Sequence, residues 1–426
     1  MMKKISLLIF LMLVVVLTAS AKPLDGDLSF VEYDALNEHG LLTETLVIGE
    51  YFWEFPINKK GTKYVAYKIN KKTGEKVSVD IDLENYNDVD IWYVGIFEMD
   101  GFIWMIPEGL VNNEKELYGT IVKFNPKNNE SELIEIPAYT DREIPKEYPL
   151  YMYYARFASG FDGYLWVVYN TPFGEELWKI DIRDMSNTIY NIPDEFVLYR
   201  SVLKKDNNLW FKLGSNGGNF ARFIIDEERF ESFIDLDAPK TFYINSTVLA
   251  GKYIYAISGD VVRFNIDTKE FDYFDLSEYI KSEEADLEKW GGGSPSVAYD
   301  GENIWVVIHN SLIKIVPETG ESSLVLELPL QLPPREGKLY YIAYNKLLFD
   351  GDDLYAVKYG NYTSAKISGS DEILEDENKT DVLDAERPFD NPDTGSFLKL
   401  GILTFSLIMA SVMIVIMKKR KKVYKL

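Results

Sequence analysis

Between residues 28 and 367 short apolar runs alternate with clusters of Asp, Asn, Gly, Lys and Thr, and the runs fall into units that repeat. One motif marks each unit: Met99-Asp100-Gly101-Phe102-Ile103-Trp104, Phe161-Asp162-Gly163-Tyr164-Leu165-Trp166, Tyr299-Asp300-Gly301-Glu302-Asn303-Ile304-Trp305 and Phe349-Asp350-Gly351-Asp352-Asp353-Leu354-Tyr355. Looser copies end at Trp53, Trp210 and Tyr255, so seven aromatics recur about every 50 residues, a period typical of propeller blades. An apolar run precedes each motif, a second follows it, as in Ile121-Val122-Lys123-Phe124-Asn125, and a third closes the unit, as in Phe271-Asp272-Tyr273-Phe274-Asp275-Leu276. Four antiparallel strands per unit, seven times over, predict an all-β chain folded as a seven-bladed β-propeller.

The punctuation fits this reading. A tight turn between the first two strands needs a positive φ, which glycine adopts without steric cost and asparagine tolerates, so Asn207 is expected to stand in for the glycine of the motif. The aromatic that follows lies in a strand, where a large flat ring fills the space between neighbouring blades. Polar turns such as Asn70-Lys71-Lys72-Thr73-Gly74-Glu75 and Pro317-Glu318-Thr319-Gly320-Glu321 separate strands three and four. The seventh unit stops near Ala365-Lys366-Ile367 without a fourth strand, whereas Phe30-Val31-Glu32-Tyr33 resembles the fourth strands elsewhere. The N-terminal strand is therefore expected to complete the last blade and close the ring, which leaves no open sheet edge.

The two ends read differently. Lys3 and Lys4, an apolar run from Ile5 to Leu17 and the small residues Ala19 and Ala21 predict a secretory signal peptide over residues 1–21, cut before Lys22. The propeller then spans 22–367, and 368–394 is too polar to bury a core, which predicts a disordered acidic stalk. An apolar helix is expected over 397–417, long enough to span a bilayer, with a basic tail at 418–426 on the cytoplasmic side. Nine of the basic residues and no acid lie in 1–21 and 395–426, so the chain's net charge of −23 leaves −32 on residues 22–394. Such a surface argues against nucleic acid as a partner. There is no cysteine, which removes thiolate catalysis and cysteine-ligated metals.

The repeat Asp-Gly-x-x-Trp, followed by Lys-Ile-Asp or Lys-Phe-Asn and a Thr-Gly-Glu-like turn, resembles the repeats of seven-bladed propellers of the virginiamycin B lyase and two-component-regulator type. Lyases of that group resemble one another in using a histidine, acidic residues and a divalent metal on one face of the ring. Here His39 and His309 stand alone, without a His-x-Glu or paired-His pattern, so no metal, cofactor or catalytic residue is assigned. The segment Asn391-Pro392-Asp393-Thr394-Gly395 resembles the Leu-Pro-x-Thr-Gly sorting motif of Gram-positive surface proteins, with Asn391 in place of leucine. That resemblance implies a sortase as partner, cutting between Thr394 and Gly395 and joining Thr394 to the cell-wall peptide, with the apolar helix holding the chain in the membrane beforehand.

First strands line the channel of a propeller, and the loops entering them form one face. Counting back from each motif aromatic puts Tyr93, Tyr154, Arg156, Arg200, Asn245 and Tyr344 at this mouth, a set suited to an extracellular protein or glycan ligand because aromatics stack and arginine pairs bidentately. The expected function is a binding or scaffold module displayed at the cell surface. The alternatives are a lyase-like or hydrolytic enzyme at the channel mouth and a single-pass membrane sensor.

Overall fold

The computed structural model describes residues 24, 28–33, 43–59, 64–83, 91–108, 111–112, 115–116, 120–136, 154–171, 173–213, 219–235, 246–257, 261–279, 295–308, 310–328, 344–358 and 364–369. The signal peptide, the sorting motif, the apolar segment 397–417 and the expected stalk from residue 370 onward lie outside these residues; Ser368 and Gly369, expected at the start of the stalk, are instead the last residues of a strand, paired with Ser29 and Leu28. No helix among the described residues is long and apolar enough to cross a membrane.

Seven antiparallel blades of four strands follow one another along the chain, the first six as meanders; in blade two the short strand Asn58–Lys59 adds a fifth strand beside Ile91–Met99. The first strands of blades one to seven are Thr43–Ile48, Ile91–Met99, Tyr154–Phe161, Leu198–Lys205, Ser246–Ala250, Ser296–Tyr299 and Tyr344–Phe349. From blade one to blade seven these strands pack against one another in chain order, as the inner wall of a propeller requires. The last blade is completed from the other end of the chain: Leu28–Tyr33 pairs antiparallel with Ser364–Gly369, with Phe30 opposite Ile367. A β-carbon on Gly95 would lie 2.9 Å from the β-carbon of Ala158, so glycine is what allows the inner strands of blades two and three to approach so closely.

Second strands are buried on both faces. In blade six, Ile304–Ile308 is buried at every position, and its side chains alternate between two seams: Ile304, Val306 and Ile308 pack toward blade five, Trp305 and Val307 toward blade seven. A strand with two buried faces reads as a continuous apolar run. Among the described residues, buried apolar side chains form seven clusters, one per seam, and each motif aromatic belongs to the cluster shared with the following blade: Trp53, Trp104, Trp166, Trp210, Tyr255, Trp305 and Tyr355. All seven are at most 2% exposed, as a seam-filling role demands.

Directly across the sheet from every one of these rings stands a cation of strand three: Lys68, Lys123, Lys179, Arg222, Arg263, Lys314 and Lys366. Lys68 lies 5.4 Å from the centre of Trp53, Lys123 5.6 Å from Trp104, Lys179 5.6 Å from Trp166 and Arg222 5.4 Å from Trp210. A long alkyl stem thus covers the ring while the charge reaches the blade edge.

The Asp-Gly turns divide into two kinds. In blades two and three Asp and Gly both adopt positive φ, 55° and 78° at Asp100 and Gly101, 53° and 76° at Asp162 and Gly163. In blade four the positive φ falls on Asp206 (51°), not on the expected Asn207, so the aspartate takes the strained position there. Blades six and seven have a longer turn, in which the aspartate folds back on the chain: Oδ1 of Asp300 accepts from the amides of Glu302 (2.8 Å) and Asn303 (2.6 Å), and Oδ1 of Asp350 from those of Asp352 (3.0 Å) and Asp353 (2.8 Å).

Asp300 does more. It is fully buried, and its Oδ2 accepts from the Trp305 indole (2.7 Å) and from the Leu24 amide (3.3 Å). Leu24 itself is buried in the cluster between blades six and seven. The seam between blades seven and one has the smallest apolar cluster among the described residues, Phe52, Ile69, Tyr355 and Val357, and it is crossed by the ion pairs Lys71–Asp350 (3.0 Å) and Lys346–Glu44 (2.7 Å).

Candidate functional site

Strand order fixes the two faces. The Asp-Gly turns and the turns between strands three and four lie on one; the chain enters each first strand, and turns from strand two to strand three, on the other. The expected mouth residues belong to this entry face.

Four of the seven first strands are irregular near their entry ends. The pairing with strand two shifts between Tyr93 and Gly95 in blade two, Ala155 and Phe157 in blade three, Tyr199 and Val202 in blade four, and Tyr344 and Lys346 in blade seven. An extra residue bends a strand and re-aims its side chains. Arg156 is the extra residue of blade three, and Arg200 lies within the shift of blade four.

Arg156 is held by Glu175, the second residue of the third strand of the same blade. Burial pushes the Glu175 carboxyl above its ordinary range, against the opposing pull of Arg156 and of the Leu198 amide. Its Oε2 is buried with no hydrogen-bond partner among the described residues, so the pair keeps an acceptor in reserve beside the mouth. Tyr154 is half-buried opposite Asn170. Tyr93 is 4% exposed, its ring 5.2 Å from that of Tyr64, and burial raises its hydroxyl pKa. The shift beside it brings Tyr93 and Ile96 into one cluster although an odd step separates them, so Tyr93 fills the seam between blades one and two. The backbones of Arg200 and Tyr344 lie in their strands, whereas their side chains, with Asn245, His39 and His309, are outside the described residues.

Two features of this face escaped sequence reasoning. Lys212, near the end of blade four's second strand and opposite Tyr199, is 5% exposed, and burial pushes its amine down to about 8. Three large apolar side chains stand in solvent along the same arc: Trp92 at the start of blade two's first strand (41% exposed), Phe173 in the turn between strands two and three of blade three (56%), and Val197 just before blade four (49%). Only an exposure map separates them from the buried majority of apolar residues. Among the described residues no three His, Asp or Glu side chains converge as a metal site.

No protein-family model matches the sequence, and no curated protein matches it. Solved structures do match. The extracellular domain of the BT4673 protein from B. thetaiotaomicron is 14% identical with a TM-score of 0.49; the match covers 86% of this chain and 44% of that one, so this chain spans less than half of that structure's length. YCF48 bound to D1 peptide is 9% identical with a TM-score of 0.50, covering 83% of this chain and 99% of that one. The likeness to YCF48 is one of fold. Because 736 solved chains match, the architecture by itself selects no activity.

Proposed function

We propose that the protein is an exported recognition module, a propeller displayed outside the cell that binds a protein or glycan partner on its entry face over blades two to four. The observation that supports this reading is the coincidence, on one arc, of shifted first strands, a re-aimed Arg156 and the exposed apolar groups Trp92, Phe173 and Val197. Binding sites concentrate aromatics and arginine in this way, apolar anchors supplying desolvation and arginine the orientation toward a carboxylate or hydroxyl pair.

Delivery and attachment rest on the two ends. The signal peptide ending at Ala19 and Ala21 directs export; the Asn391, Pro392, Thr394 and Gly395 motif directs a sortase to join Thr394 to the cell-wall peptide, and the apolar segment after it holds the chain in the membrane until the cut.

Recognition is tested by presenting the exported chain to arrays of carboxylate-bearing peptides and of glycans. Ligands of the native chain lose affinity by about 2 kcal/mol or more in Phe173→Ala and in Arg156→Ala. They are unaffected by Val77→Ala, which removes a side chain equally exposed but on a fourth strand. Binding that survives both entry-face substitutions contradicts the assignment.

A further inference from the structure

At the opposite ends of the same strands, the seam between blades three and four opens into a cleft of about 310 Å3. Tyr164, Trp166 and Lys179 of blade three form one wall, and Lys204, Asp206 and Asn207 of blade four the other. Side chains cross other seams on the same face. Between blades five and six Arg263 crosses to the carbonyls of Pro317 (2.8 Å) and Glu318 (3.1 Å); between blades four and five Lys269 lies over the rings of Trp210 and Phe233; between blades seven and one Lys71 reaches Asp350. Between blades three and four the Lys204–Asp162 ion pair (2.5 Å) spans the seam, yet the cleft remains open.

The charges lining the cleft sum to zero, with two lysines and two aspartates. Lys204 is paired with Asp162, and Lys179 sits 4.1 Å from the centre of the Tyr164 ring and 5.6 Å from that of Trp166. A charged ligand would meet a like charge as well as an opposite one, which favours a neutral ligand. The remaining chemistry is aromatic surface from half-buried Phe161 and Tyr164, one face of the latter carrying Lys179, beside an exposed carboxylate, Asp206, and a half-buried amide, Asn207. An uncharged ring with an apolar face and hydroxyls on its rim matches all three: its C–H face lies on the aromatic while carboxylate and amide take the hydroxyls. The volume is at the lower end of the range for small-molecule sites, roughly 300–1,000 Å3, and suits a short saccharide.

We propose that this cleft binds a neutral mono- or disaccharide, as a second site distinct from the entry face. Tyr154–Phe161 joins the two ends of blade three over eight residues, which at about 3.3 Å per residue keeps the sites apart.

The test is saturation-transfer NMR on the exported chain with methyl β-glucoside, methyl β-galactoside, N-acetylglucosamine and maltose, and with glucuronate and glucosamine as charged comparators. Transfer to at least one neutral sugar is expected, with affinity falling about tenfold or more in Asn207→Ala and in Tyr164→Ala. Asn207→Ala alters a half-buried turn residue and keeps the native melting temperature, which separates lost binding from lost folding. Arg156→Ala leaves sugar binding intact, so the two sites fail independently. No transfer to any neutral sugar, transfer that persists in both variants, or equal transfer to the charged sugars overturns the proposal.

Discussion

Replacing Asp300 by asparagine is the sharpest probe of how the repeat motif serves the fold. The carboxylate accepts four hydrogen bonds, two per oxygen, in a site with no solvent access. Asparagine keeps the shape but offers one acceptor oxygen. Whichever way the amide turns, its NH2 faces two donors, either the amides of Glu302 and Asn303 or the indole of Trp305 and the amide of Leu24. An unsatisfied buried donor costs about 1–3 kcal/mol, and the Leu24 bond is long, so D300N is expected to lose about 2–4 kcal/mol. The same change at Asp350, whose side chain is 5% exposed and that of its partner Lys71 19%, can keep both turn amides on the remaining oxygen and leaves one donor, the Lys71 ammonium, without its acceptor, so it is expected to cost about 1–2 kcal/mol. At Asp100, whose positive φ asparagine tolerates, the change stays within about 0.5 kcal/mol. Urea titration of the three variants, with unchanged m-values, reads this order directly. If D300N and D100N were equally stable, Asp300 would not be the buried tie between blade six and the N-terminal segment.

Three further outcomes follow from the structure. Removing residues 22–33 exposes the edge of Ser364–Gly369, and size-exclusion chromatography should show association that a synthetic peptide of those residues reverses. Glu175 has a raised pKa in the folded state, so its contribution to stability is full at low pH and is lost as pH rises through that value; E175Q should match the native chain near pH 4 and melt higher near pH 7. Asp350 has the opposite sign: burial raises its pKa, but the Asp353 and Asp352 amides and Lys71 outweigh it and the net is lowered, so its stabilisation is present above about pH 4 and lost as pH falls, and D350N should flatten that acid limb.

The ring was legible because its markers are local. A turn with positive φ favours Gly and Asp, and a seam must be filled by a large ring, so an Asp-Gly turn and an aromatic, as in Asp162-Gly163 and Trp166, appear together in four of the seven units. The cation opposite each ring is a pairing between strands, and the loop between them varies: Tyr255 and Arg263 are less than half as far apart in sequence as Trp104 and Lys123. No fixed spacing announces it. The mouth was harder still. Counting back from Trp104 reaches Tyr93 only if the strand is regular, and the shift between Tyr93 and Gly95 places that ring against Tyr64. Counting from Trp166 did reach Arg156, although its partner Glu175 lies on another strand and had no local signal. Asp300 and Asp162 read alike in sequence, and only the longer turn of blade six lets Asp300 sink into the seam.

The central proposal is a propeller delivered outside the cell and held there. Mass spectrometry of both termini of the chain, purified from wall and membrane fractions, tests this most directly. A chain beginning at Lys22 and ending at Thr394 with wall peptide attached is the predicted result. A chain that begins at Met1 and ends at an unmodified Leu426 would contradict it.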